Sequence, residues 1–450
     1  MKQLPKDYEN RMKALLGADF EKYLTELQNP PVKAFRVNTD KIRLEDFEKI
    51  NPFGNEKIPY VQNGYYLNYE KVGNHPYHHA GLIYVQEPGA MAPAECVEIE
   101  NDWCVLDMCA APGGKSTQLK NKLGENGVLV SNEIVSSRCK ILTGNIERLG
   151  LKNTVVTCMD TEKLASRFQN TFDLVMVDAP CSGEGMFRKE EIAIDEWSHE
   201  NVLMCAKRSA EILENAVKTL KSGGYIVYAT CTFSLEENEM LIDAFLQNHP
   251  EFELVPVNEK VAKYTADGIK FNGCKCENIV FTRRFYPHIA KGEGQFMAVL
   301  HRKGEKVVSC FYGGGVKKTD KIVTEFLDDT LSEYNKDYLN TYNGNPIYYN
   351  NRLPINDRTA FCCGVTIGEI RKNYILPHHQ FFMALGDKFK RKINLSVDSN
   401  ELSKYLHGEE FDTDCQNGWA VVMVNGCAVG GAKVSNGRAK NHYPKGLRLM

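Results

Sequence analysis

From Trp103 onward the chain alternates short, almost wholly apolar runs with longer segments whose apolar residues recur every three or four positions. The runs predict strands and the longer segments predict helices. Strands are expected over 104–109, 127–133, 154–160, 172–179, 225–230 and 296–301. Helices are expected over 115–123, 136–149 and 200–220, the second closed by Gly150 and the third stopped by Gly223-Gly224. Ser234-x-x-Glu237 reads as a capping box that opens a further helix. The run Asp173-Leu174-Val175-Met176-Val177-Asp178 is apolar between its acids, as a strand buried on both faces must be. This alternation predicts an α/β domain, a mainly parallel sheet with helices on both faces.

The flanks follow other patterns. Residues 4–27 carry the spacing of two short amphipathic helices, stopped by Asn29-Pro30-Pro31. Ala34-Phe35-Arg36-Val37-Asn38 reads as a short strand, and 61–77 is rich in Tyr, Asn and Gly. Residues 303–335 are charged, contain Gly313-Gly314-Gly315 and read as a linker. Residues 336–450 show short strand signals with frequent Gly and Asn. Within them, 418–424 followed by Asn425-Gly426 predicts a strand entering a tight turn. The expected organisation is an N-terminal region at 1–75, an α/β domain at 76–302, a linker at 303–335 and a mainly β domain at 336–450. At 450 residues the chain is too long for one ordinary core.

Composition narrows the partners. Hydrophobic residues at 43% and charged residues at 25% are usual for a soluble globular protein. No apolar run approaches membrane-spanning length and the first residues have no apolar core, so a cytoplasmic protein without a membrane partner is expected. The net charge of -3 excludes a protein that is basic throughout. Charge is uneven, however: 431–450 holds five Lys or Arg and no acid, and Arg283-Arg284 and Arg302-Lys303 are further basic points. Such local faces bind phosphates. The fifteen cysteines include no C-x-x-C pair. Cys274-x-Cys276 and Cys362-Cys363 lack partners at zinc spacing, so no metal site is expected. Most of these thiols should be reduced and packed as small hydrophobes.

The candidate chemistry lies at strand ends, where ligands of a parallel sheet bind. After the first strand comes Asp107-Met108-Cys109-Ala110-Ala111-Pro112-Gly113-Gly114-Lys115, a turn whose backbone can approach a ligand and whose following helix aims its N–H groups there. Glu133 ends the second strand at the spacing of an acid that binds ribose hydroxyls, and Asp160 ends the third, where adenine would lie. A P-loop would need Gly where Cys109 stands, and G-x-G-x-x-G is absent. An adenosyl cofactor without a pyrophosphate fits better, and S-adenosyl-L-methionine is the natural choice. Two thiols then end later strands, Cys181 in Asp178-Ala179-Pro180-Cys181 and Cys231 in Thr230-Cys231-Thr232-Phe233-Ser234. Methylation of a pyrimidine at C5 requires a nucleophile that adds to C6 and later leaves, and a thiolate does both. It also needs an acid near N3 and a base for the C5 proton.

These motifs resemble the Sun-domain family of RNA 5-methylcytosine methyltransferases, which have a Rossmann-like fold. The resemblance runs from about Phe35 to the C-terminus. It rests also on Gly81-Leu82-Ile83-Tyr84-Val85-Gln86-Glu87-Pro88, on Cys181-Ser182-Gly183-Glu184-Gly185, on Glu236-Glu237-Asn238-Glu239 and on Gly292-Glu293-Gly294-x-Phe296. It implies that Cys231 is the nucleophile and that Cys181 helps release the product. DNA cytosine methyltransferases use their Pro-Cys thiol instead, so Thr230-Cys231 points to RNA and away from DNA. The resemblance also places Asp178 against the target base and the cofactor, Lys115 near the base, and Cys109 to Lys115, Glu133, Arg138, Asp160 and Asp178 at cofactor-binding positions.

Towards the C-terminus, Gly364-Val365-Thr366-Ile367-Gly368-Glu369-Ile370-Arg371-Lys372-Asn373 and Lys440-Asn441-His442-Tyr443-Pro444-Lys445-Gly446-Leu447-Arg448 resemble the bacterial RsmF-type enzymes, which modify small-subunit (16S) ribosomal RNA and end in a PUA-like RNA-binding domain. The expectation is a monomeric cytosine-C5 methyltransferase with ribosomal RNA or the small subunit as partner, its N-terminal region also binding RNA. The competing expectations are a tRNA methyltransferase of the same family and a ribosome-assembly factor that binds RNA without methylating it.

Overall fold

The computed structural model describes residues 2–307, 320–350 and 360–449. Gly313-Gly314-Gly315 lies outside the described residues. The N-terminal apolar spacing forms helices Lys6–Leu16 and Phe20–Leu27. Strands β1 (Ala34–Val37), β2 (Gly64–Tyr66) and β3 (Ile83–Val85) follow as an antiparallel sheet with β1 in the middle.

The alternating region folds into β4 (Cys104–Asp107), β5 (Val128–Asn132), β6 (Thr154–Thr157), β7 (Phe172–Asp178) and β8 (Leu220–Thr230), followed by β9 (Phe252–Val255), β10 (Ala266–Asp267), β11 (Arg283–Phe285) and β12 (Gln295–Arg302). The order across the sheet is β10-β11-β12-β8-β7-β4-β5-β6, with β9 beside β12. The five strands from β6 to β8 are parallel, and β12 is antiparallel to β8. The chain runs outward from β4 through β5 to β6, then crosses back to β7. The reversal opens a crevice above the carboxyl end of β4, where such sheets bind ligands. Both faces of these strands are covered: Leu106, Val130 and Val175 face one apolar cluster, and Val105, Leu129 and Met176 face another.

Three local expectations are corrected. The helix His199–Thr219 passes directly into β8, so Gly223-Gly224 does not stop it. The glycines sit inside the strand instead. The β7–β8 register shifts between Phe172 and Leu174, and Gly223 at φ +73° accommodates the irregularity. A buried Lys221–Asp173 ion pair at 2.8 Å fixes the junction. Ser234-x-x-Glu237 is not a capping box. The helix begins at Glu239, the Ser234 hydroxyl bonds Glu236, and the Glu237 carboxylate is taken by Ser182. Within 303–335, expected as a linker, Lys321–Thr330 is a helix that buries Val323 and Leu327 in the C-terminal core.

The C-terminal region is mostly β. It contains β13 (Leu339–Tyr342), β14 (Asn345–Tyr348), β15 (Cys362–Cys363), β16 (Val365–Thr366), β17 (Gly368–Ile370), β18 (Ile375–Pro377), β19 (Lys392–Leu395), β20 (Phe411–Asp412), β21 (Gly418–Val424), β22 (Cys427–Ser435) and β23 (Arg438–Asn441). The last five form one sheet, and Asn425-Gly426, both at positive φ, make the expected turn from β21 to β22. Two features join this region to the rest. β15 pairs antiparallel with β6 and so completes the large sheet. One apolar cluster contains Phe35, Tyr77 and Leu82 together with Tyr405, Val422 and Val429.

Candidate active site

Parallel pairing sets Asp178 of β7 against Ala229 of β8, so the loops that follow leave the sheet side by side. This brings Cys181 Sγ to 3.3 Å from Cys231 Sγ. Hydrogen bonding to Cys231, and then burial, raises the Cys181 thiol well above its ordinary value. The loops are bonded to each other around the sulfurs. Gly185 N–H donates to the Cys231 carbonyl at 2.8 Å. The Phe233 N–H donates to Glu184 Oε2 at 2.9 Å, and the Ser182 N–H donates to Glu237 Oε2 at 2.9 Å.

Lys115, in the first turn of helix Gly114–Lys122, reaches across to Asp178 Oδ2 at 2.7 Å. Its side chain is 8% exposed and that of Asp178 34%. Burial acts to lower the Lys115 ammonium, but the Asp178 carboxylate outweighs it and the net shift is upward. Below the pair, Asp107 ends β4 with Oδ2 accepting the Ser116 hydroxyl at 2.6 Å and Oδ1 buried without a partner. Burial lifts this carboxyl to about 7.

The turn from Cys109 to Gly114 is held from several sides. Ala110 N–H donates to the Asn132 carbonyl, and Arg138 donates to the Ala111 carbonyl at 2.8 Å. Asn145 donates to the Pro112 carbonyl. Gly113 has φ +112°, a conformation that favours glycine, and a Cβ there would also crowd Leu142 Cδ1 at 3.0 Å. Arg138 also pairs with Glu133 at 3.1 Å, and the other Glu133 oxygen accepts the Val135 N–H. Burial raises the Cys109 thiol, which packs at the edge of the β4 core. Asp160 caps helix Thr161–Arg167 by accepting the Lys163 N–H at 2.9 Å, so its carboxylate already serves the fold.

Direct contacts thus join Cys181 with Cys231, Lys115 with Asp178, and Glu133 with Arg138 and the turn. The sequence placed Asp107, Ser182, Glu184 and Glu237 within motifs but gave none of them a role in the site. An acid closing a strand before a Gly-rich turn could have flagged Asp107, whereas Glu237 was assigned to a cap. The N-terminal helices also touch this site. Tyr23 meets Phe233 edge-on, Tyr8 meets Phe187 and Trp197, and Arg11 binds Glu236 beside the Thr-Cys loop.

A Rossmann-like sheet with an acid-lined turn at the carboxyl end of its central strand defines a methyltransferase of the nucleoside-cofactor class. Comparison with known proteins gives the family. The N-terminal domain of 16S rRNA methyltransferase RsmF matches residues 4–88, 16S rRNA methyltransferase RsmB/F matches 94–301, and the methyltransferase RsmF PUA domain matches 392–449. The chain belongs to the RsmB/F family of RNA methyltransferases, as an RsmF-type member. It is 28% identical over 478 residues to ribosomal RNA small subunit methyltransferase F of Aeromonas salmonicida, spanning 99% of this chain and 97% of that one. It is 33% identical over 316 residues to the protein of the same name from Pectobacterium atrosepticum, covering 67% and 63%. Among solved structures, a methyltransferase homolog protein from Pyrococcus horikoshii aligns with a TM-score of 0.58 at 28% identity, over 66% of this chain and 95% of that one.

Proposed function

We propose that the protein methylates C5 of a cytosine in small-subunit ribosomal RNA with S-adenosyl-L-methionine, through a transient bond between Cys231 and C6 of the base. The observation that carries this reading is the Cys181–Cys231 sulfur pair, 3.3 Å apart, at the ends of the two strands beside the Lys115–Asp178 pair. The relatives' names supply the RNA class.

The residues fit the cofactor. Asp107 and Asp178 end their strands, Glu133 follows β5 directly and Asp160 lies three residues beyond β6, and Asp107 Oδ1 is a buried acceptor without a partner beneath the turn. Cys109 to Gly114, Glu133 and Arg138 would hold the nucleoside, with the backbone near Asp160 at the adenine end. When bound, the cofactor supplies an electrophilic methyl group for C5. The base must leave its stack to enter the site. Asp178, with one oxygen held by Lys115, carries a proton on its other oxygen and gives it to N3 as Cys231 adds, which neutralises the charge that develops there. Cys231 adds to C6 and makes C5 nucleophilic. After methylation the C5 proton passes to Cys181 as its thiolate, whose own proton has gone to water and which the raised thiol makes a strong base; the C5=C6 bond re-forms, and the S–C6 electron pair returns to Cys231. Lysines and arginines of the C-terminal sheet, Lys433 and Lys440 among them, would meet RNA phosphates.

Purified protein incubated with labelled cofactor and with 16S rRNA or tRNA tests the reading. Label should enter 16S rRNA. Label in tRNA alone would transfer the enzyme to the tRNA class, and label in neither would leave only an RNA-binding protein. Cys231→Ala should abolish turnover. Cys181→Ala should trap an RNA–protein adduct, seen as a shifted band on a denaturing gel. An adduct from Cys231→Ala instead would reverse the two roles.

A further inference from the structure

We infer that Glu237 is a positioning residue for product release, because its carboxylate holds the Cys181 loop at the spacing from Cys231 that release requires. This deepens the proposed function and rests on it. Glu237 is fully buried and does not cap the helix that follows it. It points back across the gap between the loops. Oε2 accepts the Ser182 N–H at 2.9 Å, and Oε1 accepts the Ser182 hydroxyl. Ser182 is the residue after Cys181, so both bonds fix the backbone that carries the releasing thiol. The Ser182 hydroxyl also lies 2.8 Å from that of Thr232, the residue after Cys231.

Glu184 makes the opposite connection. It stands on the Cys181 loop and accepts the Phe233 N–H of the Cys231 loop. Trp197 Nε1 holds its other oxygen at 2.9 Å. Each loop therefore sends one carboxylate to a backbone N–H of the other. The two are not equivalent. The Cys231 loop is also tied down by Asn238, which bonds the Thr230 hydroxyl and the Thr232 carbonyl, and by Arg284, which bonds the Phe233 carbonyl. Glu237 holds the residue next to Cys181, while Gly185 and Glu184 tie the same loop further along. Loss of Glu237 should free the releasing thiol while leaving the nucleophile in place, so the adduct forms and then persists.

The chemistry of the bonds predicts which replacement is tolerated. Gln can turn its oxygen to the Ser182 N–H and donate its NH2 to the Ser182 oxygen, since a hydroxyl reverses its role by rotating. Ala can do neither. Burial lifts the Glu237 carboxyl to about 7, so the neutral amide replaces a group that is already partly protonated near neutral pH.

The test measures methyl incorporation and adduct together in wild type, Cys181→Ala, Glu237→Ala and Glu237→Gln. Glu237→Ala should turn over roughly 10–100-fold more slowly, the cost of a displaced reacting group. It should accumulate the same shifted adduct band as Cys181→Ala, and Glu237→Gln should stay close to wild type in both readouts. In Cys181→Ala, adding Glu237→Ala should not increase the band further. The inference fails if Glu237→Ala loses turnover without an adduct, which marks general loss of the site, or if it behaves as wild type. It fails equally if Glu237→Gln is as impaired as Glu237→Ala. Failure of the functional reading looks different: wild type would label no RNA, or Cys181→Ala would form no adduct.

Discussion

The Lys115–Asp178 pair is buried on one side only, and this predicts unequal costs for removing its members. Lys115 is 8% exposed and Asp178 34%, with 2.7 Å between Nζ and Oδ2. Asp178→Asn leaves a buried ammonium without its counter-ion. Breaking a buried pair this way costs about 3–5 kcal/mol, and the partly ionised Asp107 carboxyl nearby offsets a little of it, leaving about 3–4 kcal/mol. Lys115→Met removes the buried charge and leaves a carboxylate that water reaches, which should cost only about 1 kcal/mol. The double replacement should then resemble Lys115→Met alone, because the stranded charge is gone. Urea unfolding followed by Trp fluorescence, which Trp103 in the same domain reports, gives the three differences as a double-mutant cycle. The reasoning is refuted if Lys115→Met is as destabilising as Asp178→Asn, or if the double variant is the least stable of the three.

Two shorter predictions come from the same neighbourhood. Burial raises Asp107 from 3.8 to about 7, so its contribution to stability is full below about pH 3.8 and is lost as pH rises through about 7. Asp107→Asn should therefore gain on wild type between pH 5 and pH 8, by about 3 kcal/mol at most, and parallel stability profiles of the two proteins would contradict this. A Cβ at Gly185 would meet Gly294 Cα and O at 2.8 Å and the Cys231 carbonyl at 2.9 Å, all backbone. Gly185→Ala should cost about 1–3 kcal/mol and part the two loops, lowering turnover while S-adenosylhomocysteine binding measured by calorimetry stays unchanged.

The sequence was most legible where one physical rule acted alone. Short, almost wholly apolar runs marked the strands from β4 to β7, and their ends marked the crevice. The helix at Ser136–Leu149 closes at Gly150 in the left-handed conformation, as its spacing predicted. Reading failed where a local pattern was overruled by a distant partner. Gly223-Gly224 has the composition of a helix stop, yet the Lys221–Asp173 pair and the β7 register hold it inside a strand. Ser234-x-x-Glu237 has cap spacing, but Ser182, far away in sequence, takes the Glu237 carboxylate. Asp160 also serves as a helix cap, a second role that its place after a strand did not announce. The pairing of Cys362–Cys363 with β6 has no sequence signal, because a two-residue strand has no period to detect.

That last pairing sets a timetable for the protein's synthesis. Phe361 N–H donates to the Val156 carbonyl and Gly364 N–H to that of Thr154, which occupies the outer rim of the parallel strands. An uncovered rim invites pairing with a second molecule. Translation proceeds at roughly 5–20 residues per second, so the methyltransferase sheet spends about ten seconds or more after β6 emerges before its last strand arrives. Premature stops between β12 and β15 should yield chains with every catalytic residue present and a strong tendency to clump.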